Sequence, residues 1–195
     1  QFDSLVKEQR ANMIKNEFNS TLQKNGATFI NAFTSNDQTF YFETVPANKL
    51  ELWFWMESDR LMNPVFREFY SERDVVREER RLRIESTPTG KFDEQFNAMF
   101  FTSSPYAWPV VGWPSDLDAI TREEARAYFG INYAPNNISA CLVGDFDPGQ
   151  AKKFADLYFG RLKAYPQGQP VVRTREVEQL AEKRMIAYAE TNPEV

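Results

Sequence analysis

The 195-residue chain contains no histidine, a single cysteine and no long apolar run. Each absence excludes something. Without histidine, neither a Ser–His–Asp nor a Cys–His nucleophilic site can form within the chain, and no metal site within it can use imidazole. The lone thiol, Cys141, excludes an internal disulfide. Its place in the apolar run Ile138 to Val143 predicts a buried, inert cysteine. No segment approaches the ~20 apolar residues of a membrane-crossing helix. Positive charge is also short: 23 Lys and Arg stand against 28 Asp and Glu, a formal net charge of -5. Basic residues are interspersed with acids, which argues against nucleic-acid partners and against an anionic membrane surface.

What is present is core material. Apolar residues make up 42% and aromatics 15%, with 17 phenylalanines, so the chain can bury a real core. Residues 1–24 carry a thin apolar stripe (Phe2, Leu5, Met13, Ile14, Phe18, Leu22) that predicts a helical arm, closed by Asn25-Gly26. Ala27 to Thr34 and Gln38 to Val45, joined by Ser35-Asn36-Asp37, predict a hairpin. Ala47 to Met62 reads as a helix. It holds Trp53, Phe54 and Trp55 side by side, and three consecutive rings cannot share one face. Lys91 to Phe101 predicts a further helix, and residues 103–114 read as a Pro- and Trp-rich loop. Thr121 and Glu124 form a capping box, and Asp147-Pro148 opens another helix. Asn137 to Val143 and Lys183 to Glu190 read as strands. The sum is an α+β class, a mixed or antiparallel sheet with helices packed on one face. Gln1 falls inside an apparent helix and the chain stops just after an apparent strand, which suggests an excerpt of a longer, N-terminally truncated polypeptide.

The chemically informative stretch is Ser71-Glu72-Arg73-Asp74-Val75-Val76-Arg77-Glu78-Glu79-Arg80. Ser71 and Asp74 have capping-box spacing, which predicts a helix starting at Glu72. Val75 and Leu82 belong to one stripe, and Glu79 sits between them where the helical period asks for an apolar residue. Glu72 shares that face. A core-facing carboxylate needs a partner, because its burial alone costs several kcal/mol. An ion pair with a nearby arginine, a stem that packs while its tip reaches water, and a metal ion all satisfy that need. Arg77, Arg80, Arg81 and Arg83 read as a solvated outer face.

Glu72-Arg73-x-x-Val76-x-x-Glu79, about 35 residues beyond Asn31-Ala32-Phe33-Thr34-Ser35, resembles the zinc metallopeptidases of the pitrilysin and insulinase family. The resemblance extends over Gly26-Ala27, Pro105-Tyr106 through Trp108-Pro109-x-x-Gly112, Tyr133-Ala134-Pro135-x-Asn137 and Val143-Gly144-Asp145. It implies a zinc endopeptidase whose H-x-x-E-H helix supplies two histidine ligands and the general base, with a distal glutamate as third protein ligand. Glu79 matches that distal ligand, and Glu72 matches a second acidic position that supports the ligands. Asn31, Ala32 and Phe33 match the strand that receives an extended peptide by β-augmentation. The resemblance also implies Zn2+ as cofactor, a peptide or unfolded polypeptide as substrate, and a second homologous domain or subunit forming a chamber. It divides the chain into the arm of residues 1–24, read as the end of an insertion, and most of the zinc-bearing domain over 25–195.

The departure is plain: no H-x-x-E-H exists here, so the chain alone is expected to be inactive. Ser104 stands where relatives carry another histidine, so nothing catalytic belongs there. A subunit that keeps the fold but serves as a scaffold or peptide binder is the alternative. The compartment stays open.

Overall fold

Local signals place most of the helices. In the computed structural model, which describes residues 16–188, most of them begin or end at a residue with a physical reason to be there. The described chain divides into two units.

The first unit comprises residues up to 33, then 39–64 and 139–163. Helix α1 (Glu17–Lys24) ends where Gly26 takes φ 91°, the left-handed region that suits glycine. The Gly26 and Ala27 N–H groups fold back to the carbonyls of Gln23 and Leu22, at 2.9 and 3.0 Å. Strands β1 (Thr28–Thr34) and β2 (Thr39–Thr44) pair as a two-stranded sheet. Leu22 of α1 and Met56 of α2 (Leu50–Met62) bury against Ala27, with Ile30 and Val45 packed alongside. Helices therefore cover one side of the hairpin, as an α+β reading requires.

Helix α7 (Pro148–Tyr158) starts on Asp147, whose carboxylate accepts the Gln150 N–H at 2.6 Å. It packs on α2 through Ala151, Phe54 and Leu50. The three neighbouring rings of α2 separate as helical geometry demands. Phe54 is 2% exposed, Trp53 lies edge-on to Phe54 and Phe159 at 4.9 and 5.8 Å, and Trp55 is half-exposed.

The second unit comprises residues 34–38, 65–138 and those from 164 onward. Helix α3 (Phe69–Arg80) runs into one π-helical turn over Arg81–Glu85. Helix α4 (Pro88–Phe100) is capped by Thr87, whose Oγ1 accepts the Gly90 N–H. Helices α5 (Pro114–Ala119) and α6 (Arg122–Asn132) follow, and α6 has the expected capping box of Thr121 and Glu124. Residues 170–180 are irregular, and a later stretch is pinned to the end of α4. The Lys183 ammonium donates to the carbonyls of Met99 and Phe100 and to Thr102 Oγ1, at 3.0, 2.7 and 2.7 Å. The Glu176 carboxylate accepts the N–H groups of Thr102, Ser103 and Ser104 at 2.7, 3.1 and 2.7 Å.

Three expectations about these elements are corrected. Residues 138–143 and 183–188 form no strand, because β-rich sequence becomes a strand only where a neighbour supplies the ladder. Among the described residues the one ladder is β1–β2. Cys141, in the first of these stretches, is exposed rather than buried. Helix α3 begins at Phe69, and Ser71 caps nothing, because the Glu72 N–H already bonds the Glu68 carbonyl at 2.9 Å. The arm expected over residues 1–24 and the strand expected to reach Glu190 lie partly outside the described residues.

Candidate functional site

Helix α3 has two faces. Phe69, Arg73, Val76 and Arg80 recur at spacings of four, three and four and point inward. Glu72, Val75, Glu79 and Leu82 recur at three, four and three on the other side. That second face is open: Val75 is 58% and Leu82 56% exposed. Glu72 is exposed, and the Glu79 side chain is 41% exposed, its Oε1 2.8 Å from Arg83 Nη1. The expectation that Glu79 faces the core is thereby corrected. The stripe through Val75 and Leu82 is the solvent side of the helix, and the exposed Arg83 fork is its carboxylate's partner.

The buried charge belongs to the next residue. Arg80, expected in a solvated face, is 4% exposed. Its Nη1 and Nη2 fork onto the Glu94 carboxylate at 2.6 and 2.8 Å, and Nη1 also donates to the Gly112 carbonyl at 2.9 Å. The hydrogen bonds that Arg80 donates to Glu94, outweighing the opposing effect of burial, hold the guanidinium pKa above its ordinary value. Beside this corner lies a cleft of about 250 Å³, lined by Ile84, Gly90, Asp93, Asn97, Trp108 and Val110 among others.

Zinc accepts glutamate oxygen as a ligand. Glu79 fits that part: it sits on an open face, and its ion-pair partner Arg83 is an exposed, exchangeable side chain. Glu72 shares the face, about 10 Å away along the axis. Among the described residues no group of three His, Cys, Asp or Glu is close enough to hold a metal ion. Among those residues Glu79 is a single candidate carboxylate and not a complete ligand set.

The candidate peptide-receiving residues Asn31, Ala32 and Phe33 belong to the first unit, and Glu72 and Glu79 to the second. All three are exposed on β1. The Asn31 side chain turns back so that its Oδ1 accepts the Ala32 N–H at 2.8 Å. Phe33 lies tilted against Phe40 of β2, centroids 5.4 Å apart. In the sheet β1 pairs only with β2, which leaves its other edge without a strand among the described residues.

A further cluster went unread in the sequence. Glu57 of α2 is 8% exposed and pairs with Arg60. Arg60 also lies over the rings of Phe18 and Tyr41, at 5.1 and 4.5 Å. Glu43 of β2 accepts the Trp53 indole N–H and faces Glu57. Burial pushes the Glu57 carboxyl up to about 7. Arg60 opposes that rise and Glu43 adds to it. The available signal was spacing: Glu57 stands three before Arg60 on a helix otherwise dense in large apolar residues.

A sequence model described as "Insulinase (Peptidase family M16)" matches residues 7–112, more than half of the chain. The chain belongs to this peptidase family. A second model, described as "Peptidase M16 inactive domain", matches residues 119–194 of the same M16 chain. The chain is 31% identical over 156 residues to the zinc protease PqqE of Helicobacter pylori, covering 78% of this chain and 34% of that protein. It is 24% identical over 142 residues to the β subunit of the mitochondrial-processing peptidase of Caenorhabditis elegans, covering 72% and 31%. Among solved structures it resembles a protease from Helicobacter pylori, with a TM-score of 0.80 and 27% identity over 86% of this chain and 41% of that one. The periplasmic protease PqqL of Escherichia coli shares the fold at a TM-score of 0.62 and 21% identity, covering 73% of this chain and 16% of that one. The M16 chain thus spans about a third of the length of the curated relatives named here.

Proposed function

We propose that this chain supplies the distal half of a zinc endopeptidase site together with its peptide-receiving strand. The observation that carries the reading is the open face of α3, where Glu72 and Glu79 stand together in a chain of the M16 family. Glu79 is the metal ligand from this chain. Glu72, two turns away, is too distant to share the ion and instead orients a neighbouring ligand. Two histidines and the general base come from outside these 195 residues, which hold no imidazole. Bound there, zinc lowers the pKa of a coordinated water and polarises the scissile carbonyl.

The rest is the work of this chain. To ligate, Glu79 must give up Arg83, an exposed i,i+4 pair whose loss costs only a few tenths of a kcal/mol. Residues 31–33 receive the substrate backbone along the open edge of β1, where main-chain hydrogen bonds supply affinity. Asn31 then exchanges its bond to the Ala32 N–H for one to the peptide. The substrate is a peptide or unfolded polypeptide, and a second homologous domain or subunit completes the chamber.

The test uses the natural-length protein. Glu79→Gln should abolish stoichiometric zinc, read by elemental analysis, and cut peptide hydrolysis by at least 100-fold, while the circular dichroism spectrum is unchanged. Wild-type zinc content with wild-type turnover would sink the assignment.

A second reading, a non-catalytic scaffold or peptide-binding subunit, draws on the closed Glu79–Arg83 pair and on the inactive-domain model that matches residues 119–194. It expects no zinc in the natural-length protein and unaltered peptide binding in Glu79→Gln.

A further inference from the structure

Next to the proposed metal ligand is the most deeply buried charge of its helix. Arg80 is the buried residue of α3, and its guanidinium reaches three separate parts of the second unit. It forks onto Glu94 of α4, donates to the Gly112 carbonyl before α5, and its Nε lies 3.2 Å from a carboxylate oxygen of Glu85 in the π turn. The approach depends on Gly90. A Cβ there would lie 2.6 Å from the Arg83 carbonyl oxygen and 2.7 Å from the Ile84 Cα. Glu94 is one turn beyond Gly90 on the same face of α4, so the close approach at Gly90 brings its carboxylate to Arg80.

Helical geometry turns this anchor into a constraint on Glu79. Successive side chains are separated by about 100° around the axis. Pinning Arg80 therefore sets the direction of Glu79, and of Glu72 two turns earlier. No other polar contact of α3 does this as firmly. The Glu79–Arg83 pair lies within one continuous helical stretch and turns with it. Arg77 meets Asp118 at 2.9 Å with both side chains about half exposed, and Arg73 reaches the Asp118 carbonyl only at 3.4 Å. Exposed pairs of this kind hold weakly. The helix also changes pitch immediately after Arg80, where the Ser86 N–H bonds the Arg81 carbonyl at 2.9 Å across the π turn. Residues beyond that turn have a shifted phase. Arg80 is the last side chain whose rotation Glu79 shares directly.

We propose that Arg80 is a positioning residue for Glu79. Its fork onto Glu94 and the Gly112 carbonyl sets the rotation of α3 and so the direction in which the Glu79 carboxylate is offered to a metal ion. This rests on the reading of Glu79 as a ligand.

The experiment uses the natural-length protein with Arg80→Met, Arg80→Lys, Glu94→Gln, Glu79→Gln and, as a stability control far from the helix in sequence, Phe54→Leu. The zinc dissociation constant is measured by chelator competition at a temperature where circular dichroism shows each variant folded, alongside kcat and KM. Arg80→Met and Glu94→Gln should each weaken zinc binding by about 10–100-fold with KM unchanged. Arg80→Lys, which keeps the charge and loses the fork, should fall between them and wild type. If Arg80→Met does not fold, Arg80→Lys and Glu94→Gln decide by the same measure. Wild-type zinc affinity in the folded Arg80 and Glu94 variants, with zinc lost in Glu79→Gln, would overturn the positioning role and leave the ligand standing. Zinc retained in Glu79→Gln would overturn both. An equal loss of affinity in Phe54→Leu would show that only general stability was being read.

Discussion

Glu57 shows how a single residue can make this fold sensitive to pH. Its carboxyl, pushed up to about 7 from an ordinary 4.5, is raised in the folded state, so the native protein holds the extra proton between those values. The stability it contributes is fully present below pH 4.5 and is lost as pH rises through 7. Glu57→Gln keeps the outline and removes the ionisation. Its Tm should stay level between about pH 5 and 7 while that of wild type declines. Equal slopes for the two proteins would refute this account. The same contrast of position and environment separates Glu79 from Arg80. The sequence pattern offered Glu79 as the awkward inward charge, yet Arg80 is the one buried, because its guanidinium can satisfy Glu94 and a carbonyl together. No helical pattern names a partner fourteen residues away on another helix.

Among the elements, those written in local chemistry were legible. The β1–β2 hairpin, the Thr121 capping box, the Asp147-Pro148 start of α7 and the stop at Asn25-Gly26 all follow from residues within a few positions of each other. The extended stretches near Cys141 and Lys183 were not, because a strand is a property of two segments and only one was being read. The turn from α3 into α4 is an element-scale dependence of another kind. Gly90→Ala would press a methyl against backbone atoms at 2.6 and 2.7 Å, which cannot move without shifting the helix start. Overpacking of this kind costs about 1–3 kcal/mol, more than the ~1 kcal/mol alanine gains in helix propensity. Denaturant unfolding of the variant should show that loss, and an unchanged midpoint would mean the corner is looser than described.

For the whole molecule, the composition is the deciding fact. A chain without histidine can contribute carboxylates to a zinc site but not the imidazoles that complete one. The 195-residue chain by itself should therefore hold well under one equivalent of zinc after gel filtration and show no peptide hydrolysis. Stoichiometric zinc on the isolated chain would point to a ligand set other than the one built around Glu79. The family was legible from sequence because its signatures are short and ordered along the chain. Which side of α3 is open was not, since that depends on what packs against Phe69, Val76 and Arg80.

The loop after α4 has one more consequence. Three consecutive N–H groups, from Thr102 to Ser104, converge on the single carboxylate of Glu176. Such a concavity is an anion receptor that the chain fills with its own side chain. Emptying it by Glu176→Ala should leave the receptor open to a foreign occupant. Inorganic sulfate at ~10 mM should then raise the Tm of the variant more than that of wild type, by mass action on the folded state alone. Identical sulfate responses would mean that the receptor collapses once its own anion is gone.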